Sequence, residues 1–203
     1  AQMQLFEALG AQAPKMGHMA LLADADGGGL SKRLGSLSIA ELRNNDIEAM
    51  AIISLLARIG TSDPVVPTAN MATVINGFDI ARFGRATAKF DLAELAQINA
   101  KVVQELPFVK VAERLEAAAV GGGEPFWMAV RDNLSSVGQA NDWWQICTQP
   151  ITPIIDCAAV TDAAAELLPD GDLEASTWNE WTKVVADASG AKGKGLFMPL
   201  RLA

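Results

Sequence analysis

Apolar residues recur at helical spacing along most of this chain. Between short clusters of glycine, proline and polar residues they return every three or four positions, whereas strict alternation of apolar and polar residues is scarce. One such stripe runs from Leu95 to Leu106, between a helix-start signal at Asp91 and a stop at Pro107. The pattern therefore predicts a mainly α-helical protein.

Capping residues mark several of the expected helix ends. Residues 38–41 (Ser-Ile-Ala-Glu) and 177–180 (Thr-Trp-Asn-Glu) have the spacing of a capping box, in which two side chains satisfy free backbone amides at a helix start. Another helix is expected to begin at Asp46 and to be ended by a left-handed glycine at Gly60. The three glycines at 121–123 predict a break between two helices.

Composition and charge narrow the range of functions. The chain has 203 residues, 50% of them hydrophobic, which is enough for one large domain or two small ones. Its formal net charge of −8 argues against nucleic-acid binding through bulk positive charge, so any such contact needs local basic patches. Because no apolar run approaches the roughly 20 residues of a membrane-spanning helix and no secretory signal is visible, we expect a soluble cytoplasmic protein.

Most familiar catalytic patterns are absent from the sequence. Cys147 and Cys157 have no partner histidine at metal-ligand spacing and are expected to be reduced thiols in the core, so no metal site is predicted. The only histidine, His18, has no nucleophile at a recognisable elbow, which argues against a catalytic triad. Neither residues 27–32 nor residues 190–195 match a Walker phosphate loop.

One glycine-rich segment could still carry chemistry. Residues 27–33 (Gly-Gly-Gly-Leu-Ser-Lys-Arg) deliver two adjacent cations just ahead of the helix expected from residue 38. A mobile lysine that reaches phosphate oxygens only in the transition state lowers the barrier to transfer at phosphorus. A solvated surface turn is the alternative interpretation.

The flanks of this segment resemble a known family. Residues 30–39 resemble the second class I signature, the KMSKS-type loop, of bacterial glutamyl-tRNA synthetases. The similarity continues through residues 55–62, 78–86 and 89–91, with Leu95 and Asn99, and returns at residues 193–202. It spans essentially the whole chain.

The resemblance implies an ATP-binding loop. Leu30, Ser31, Lys32 and Arg33 would form it, and Lys32 would be the catalytic lysine that contacts the ATP phosphates during glutamate activation. Gly29 stands where many members of the family have the first lysine of the motif, which leaves Lys32, with Arg33, as the main charge.

The resemblance also implies a domain order. Residues 1–108 would hold the KMSKS-type loop and a helical stem-contact domain, and residues 109–203 an α-helical anticodon-binding domain, the α-helix cage, truncated at its C-terminal end. The family's catalytic nucleotide fold would precede residue 1. We therefore expect a fragment of a larger enzyme that is inactive by itself and binds glutamate and ATP chiefly through the absent domain.

Candidate RNA contacts follow from the same resemblance. Arg82 and Arg85 could contact phosphates of the tRNA, and Lys192 and Lys194 offer a basic tip near the chain end; plain surface positions are the alternative. The tryptophans could stack on unpaired bases, although their helical spacing equally suits a core: Trp127, Trp143, Trp144, Trp178 and Trp181.

The implied activity is that of a ligase. The parent enzyme would join glutamate to tRNA(Glu) through a glutamyl-adenylate, using ATP and Mg²⁺, with neither DNA nor a membrane as a partner. Two alternatives stay open from the sequence. The chain could be a stand-alone helical adaptor that binds tRNA or protein, or a nucleotide-using enzyme with its own site at Lys32 and Arg33.

Overall fold

The described part of the chain is mainly α-helical, as the hydrophobic spacing predicts. The computed structural model describes residues 1–17, 19–24, 26–29, 38–150, 152–171, 173–174 and 176–203. His18 and the whole segment 30–37, with Leu30, Ser31, Lys32 and Arg33, lie outside these described residues. The chain divides into two compact units, Ala1–Cys147 and Thr148–Ala203.

The first unit contains eight helices among its described residues. They are α1 (Gln2–Ala8), α2 (Ile39–Asn44), α3 (Ala49–Leu56), α4 (Met71–Gly77), α5 (Leu92–Glu105), α6 (Ala112–Ala117), α7 (Gly123–Val130) and α8 (Ala140–Thr148). Single 3₁₀ turns occur at Ile80–Arg82, Phe108–Lys110, Arg131–Asn133 and Val137–Gln139. Two short parallel strands, β1 (Leu22–Ala23) and β2 (Ala88–Lys89), pair Leu22 with Ala88.

The central helix of this unit, α5, supplies residues to two hydrophobic clusters. Leu95, Ile98 and Val102 pack with residues of α2 and α3, while Val103, together with Leu106 just after the helix, packs with α6, α7 and the turns that follow. The start and the stop of α5 are as predicted, because Asp91 accepts a hydrogen bond from the Ala93 amide and the helix ends before Pro107. The functional boundary expected at residue 108 lies inside this compact unit and stays a prediction.

The second cluster is built around a tryptophan. Trp127 is completely buried, and its indole N–H donates to the Leu106 carbonyl at 2.9 Å, so the polar atom that burial would leave unpaired is satisfied. Trp144 lies over the glycine run, where a Cβ on Gly121 would come within 2.5 Å of the Trp144 ring. The glycines therefore make room for this ring as well as breaking the helix.

The second unit has three helices among the residues that the structure describes. Its helices are α9 (Ala158–Glu166), α10 (Thr177–Ser189) and α11 (Lys194–Leu202). Val160, Ala164, Val185 and Leu196 form its buried core. Gly190 ends α10 in the left-handed conformation at φ 69°, as predicted.

Three predicted helix ends are wrong in detail. The third helix begins at Ala49 and not at Asp46, whose backbone is left-handed with φ 57° and cannot continue a right-handed helix. Gly60 is left-handed as predicted, but the helix has already ended with Ala57 as its cap. The capping box at 177–180 does not form, because Thr177 is already helical and its hydroxyl accepts from the Glu174 amide behind it.

Candidate functional site

The described glycines before residue 30 form an ordered turn. The Asp24 amide donates to the Gly28 carbonyl at 2.8 Å, and the Gly28 amide donates to Oδ1 of Asp24 at 2.6 Å. A Cβ on Gly28 would lie 2.6 Å from Oδ2 of Asp24, so no larger residue fits without a shift. The turn follows β1, whose Ala23 carbonyl accepts from the Phe90 amide at 2.8 Å.

The far flank of the expected ATP loop is a capped helix. The Ser38 hydroxyl accepts from the Glu41 amide at 3.0 Å, and the Glu41 carboxylate accepts from the Ser38 amide at 2.8 Å. This is the predicted capping box at the start of α2. Since Leu42 of the same helix is buried in the first cluster, α2 has a fixed place in the unit. Both described flanks of segment 30–37 are thus held by local hydrogen bonds.

An aspartate bridges two of the family-like segments. Asp63 accepts from Arg82 at 2.6 Å and from Arg58 at 3.4 Å, which joins residues 55–62 to residues 78–86. The Arg82 side chain is 55% exposed, so this ion pair stabilises the fold by about 1 kcal/mol or less. Asp63 also neutralises part of the positive charge of Arg82, one of the two arginines predicted to contact RNA.

The same two segments also meet through glycines. The Gly84 amide donates to the Gly60 carbonyl at 2.9 Å, and Gly77 leaves room for the Arg58 guanidinium, which a Cβ there would approach to 2.5 Å. Arg85 is exposed and forms no ion pair with any residue that the structure describes. The two arginines predicted to contact RNA therefore differ, since Arg82 is paired and Arg85 is not.

A buried amide on α5 ties together three segments. Asn99 is 1% exposed; its Oδ1 accepts from the Glu48 amide at 2.7 Å, and its Nδ2 donates to the carbonyls of Ser135 at 2.8 Å and Asp46 at 3.3 Å. In the sequence, Asn99 stands out only as part of the family resemblance. The signal that could have revealed it is a polar residue next to Ile98 on the apolar stripe of an amphipathic helix.

An ionic cluster surrounds this amide at the surface. A carboxylate oxygen of Asp46 accepts from the Gly138 amide at 2.5 Å. Arg114 on α6 pairs with Glu48 at 2.6 Å and lies 3.7 Å from the other Asp46 oxygen. We call Asp46, Glu48, Asn99, Arg114 and Gly138 the corner cluster, because it holds the turn between α2 and α3.

The second unit presents the two predicted lysines at its surface. Lys192 and Lys194 are both exposed and flank Gly193, which precedes α11. They are neighbours on one tip, and the structure gives them no ion pair among the residues it describes.

The tryptophans and cysteines divide between core and surface. The core interpretation is confirmed for Trp127, which is fully buried, whereas Trp143 and Trp178 are 37% and 43% exposed. The expectation of core thiols is wrong for Cys147, which is exposed near the end of α8; Cys157 is half-buried.

Within the described residues, no group of three or more His, Cys, Asp or Glu side chains could hold a metal ion. None of the helices that these residues form is long and apolar enough to cross a membrane.

Comparison with known proteins relates the whole chain to one kind of enzyme. Residues 1–97 match the model of the catalytic domain of class I tRNA synthetases for E and Q. Glutamate–tRNA ligase 1 of Maricaulis maris is 48% identical over 203 residues, and glutamate–tRNA ligase 2 of Methylorubrum populi is 47% identical over 204 residues. Each alignment covers 100% of this chain but only 46% and 45% of those ligases, so the chain spans about half their length.

Solved structures support the fold. The crystal structure of glutamate-tRNA synthetase from Elizabethkingia anophelis superposes with a TM-score of 0.70 at 19% identity, covering 98% of this chain and 47% of that one. A glutamate tRNA ligase from Elizabethkingia meningosepticum gives 0.67 at 21% identity with the same coverage. Over its whole length, the chain therefore corresponds in sequence and in fold to about half of a glutamate–tRNA ligase.

Proposed function

We propose that the chain is the tRNA-binding part of a cytoplasmic glutamate–tRNA ligase, which attaches glutamate to tRNA(Glu) through an ATP-dependent glutamyl-adenylate. The observation that carries this proposal is the 48% identity to such a ligase across all 203 residues. The match of residues 1–97 to a synthetase catalytic-domain model supports it from an independent comparison.

In this proposal the chain contributes one loop to the chemistry. Lys32, within Leu30, Ser31, Lys32 and Arg33, neutralises the negative charge that grows on the ATP phosphates as glutamate attacks, and stabilises the transition state more than bound ATP. The hydrogen bonds between Asp24 and Gly28, and the capped start of α2, hold the described residues on either side of this loop. Mg²⁺ accompanies ATP when it is bound, and we propose no ligand for it among the described residues.

The residues that we propose to contact tRNA lie within this chain. Residues 1–108 contact the tRNA stem, with Arg85 and Arg82 on phosphates, and residues 109–203 read the anticodon region, with Lys192 and Lys194 at one edge. The exposed position of all four cations supports this proposal. Of the two arginines, Arg85 has the more available charge, since Asp63 already pairs with Arg82.

A titration tests this proposal directly. The purified chain is titrated with tRNA(Glu), an isolated anticodon stem-loop and an unrelated tRNA at two salt concentrations. We expect tRNA(Glu) to bind most tightly of the three RNAs. Its affinity should fall as the salt concentration rises, because phosphate contacts release counterions. Equal binding of both tRNAs would overturn the proposal.

Two variants sharpen the result. Arg85→Gln removes an unpaired cation from the proposed surface, whereas Lys101→Gln removes an exposed cation from α5 and serves as the matched control. We expect the first to weaken tRNA(Glu) binding and to lower its salt dependence by about one counterion, and the second to leave both unchanged. Identical effects would mean that Arg85 acts only through the net charge.

A further inference from the structure

A strained residue stands at the centre of the corner cluster. Asp46 adopts a left-handed backbone, φ 57°, which is disfavoured for residues other than glycine. Such a conformation persists when surrounding contacts over-determine it. Here both polar ends of the residue are held, because its carbonyl accepts from Asn99 and its carboxylate from the Gly138 amide.

Asp46 contacts residues that are far from it in the sequence. Asn99 is 53 positions from Asp46, and Gly138 is 92 positions away. The cluster therefore joins the turn after α2, on one side of residue 108, to α6 and the turn before α8 on the other side. Arg114 adds a second link between the same two sides through Glu48.

We propose that Asp46 is a positioning residue that fixes α2 and α3 against α6–α8, so that RNA contacts within the first unit, Ala1–Cys147, on both sides of residue 108, are presented in one arrangement. This inference rests on the proposed function. A binding surface whose parts are already held in their bound arrangement loses less conformational entropy on binding than a surface that must first be ordered. Asp46 itself need not touch RNA to have this effect.

For the substitution Asp46→Gly, loss of the negative charge and loss of the positioning role predict opposite changes in RNA affinity. Asp46→Gly relieves the strained backbone and removes the carboxylate from Gly138 and Arg114. Loss of a negative charge by itself tightens RNA binding. If Asp46 is a positioning residue, the glycine variant instead binds tRNA(Glu) about fivefold more weakly.

Asp46→Asn is the matched variant. Asparagine tolerates the left-handed conformation and keeps an oxygen that can accept from the Gly138 amide, while it changes the charge by the same amount as glycine. We expect it to bind tRNA(Glu) at least as tightly as the original chain. Equal affinities for Asp46→Gly and Asp46→Asn would overturn the inference.

A distance measurement separates this inference from the proposed function. Spin labels are attached at Ala40→Cys on α2 and at native Cys147 on α8, in a Cys157→Ser background, and their separation is measured by pulsed EPR without RNA. We expect Asp46→Gly to broaden the distance distribution and Asp46→Asn to leave it narrow. An unchanged distribution in the glycine variant would overturn the inference, whereas absence of preferential tRNA(Glu) binding by the original chain would overturn the proposed function.

Discussion

Replacing Asn99 by leucine removes three hydrogen bonds from the interior of the first unit. The side chain keeps roughly its volume, but the Glu48 amide and the carbonyls of Asp46 and Ser135 lose their partner. An unpaired buried polar group costs about 1–3 kcal/mol. Because these groups are only partly buried and the bond to Asp46 is long at 3.3 Å, we expect a total loss of about 3–5 kcal/mol.

Urea denaturation measures this loss. Tryptophan fluorescence reports the first unit alone in a Trp178→Phe, Trp181→Phe background, since the three remaining tryptophans lie within Ala1–Cys147. With a slope of about 2 kcal/mol per molar urea, the midpoint should fall by about 2 M at unchanged slope. A typical domain has only about 5–15 kcal/mol of stability, so the variant should be close to unfolding at physiological temperature.

Two variants of the same helix serve as controls. Gln97→Leu makes a similar change at an exposed position of α5 and should alter stability by about 0.5 kcal/mol or less. Asn99→Asp keeps the shape of the side chain but replaces the donating Nδ2 by an accepting oxygen next to the carbonyls of Asp46 and Ser135. It should therefore destabilise the first unit at least as much as leucine does. A leucine variant no less stable than the Gln97 control would refute the reasoning that this amide holds the three segments together.

Three other substitutions test separate features. Gly121→Ala places a Cβ within 2.5 Å of Trp144 and should destabilise the first unit by about 1–3 kcal/mol in the same urea assay. Asp63→Asn frees the charge of Arg82 and should tighten binding of any tRNA, measured by the same titration, with a stability loss of about 1–3 kcal/mol because the largely buried Arg58 also loses its partner. Lys32→Ala, in an active ligase that contains this chain, should lower glutamate-dependent ATP–pyrophosphate exchange by about 10²–10³-fold while tRNA binding is unchanged.

Local signals in the sequence were sufficient for several elements. The start of α5 depends on one hydrogen bond from a backbone amide two residues along, and its end on the ring of Pro107. The capping box of α2 and the left-handed Gly190 are equally local. In each case the residues that fix the helix end lie within a few positions of one another, so the local sequence is enough to predict it.

The start of α3 could not be predicted in this way. Asp46 looked like a helix start, but its conformation is decided by Asn99 and Gly138, which are distant in sequence. The capping box predicted at Thr177 does not form for a different reason. The helix begins one residue earlier than the motif requires, and the Thr177 hydroxyl accepts from the Glu174 amide instead of from a helix amide.

The candidate site was likewise only partly visible in the sequence. The glycine run and the cations beside it stood out, yet the hydrogen bond by which Asp24 holds Gly28 is visible only in the structure. Arg82 and Arg85 looked equivalent in the sequence, and only the fold brings Asp63 to the first and not to the second. Charges that are separated in sequence cannot be paired by inspection of spacing.

The central claim is tested most directly by a chimeric ligase. These 203 residues replace the matching portion of the Maricaulis maris ligase, to which they are 48% identical, and glutamate transfer to tRNA(Glu) is measured. We predict that the chimera charges tRNA(Glu) and that Lys32→Ala in the chimera abolishes most of this activity. A folded chimera that binds tRNA(Glu) but neither activates nor transfers glutamate would contradict the account.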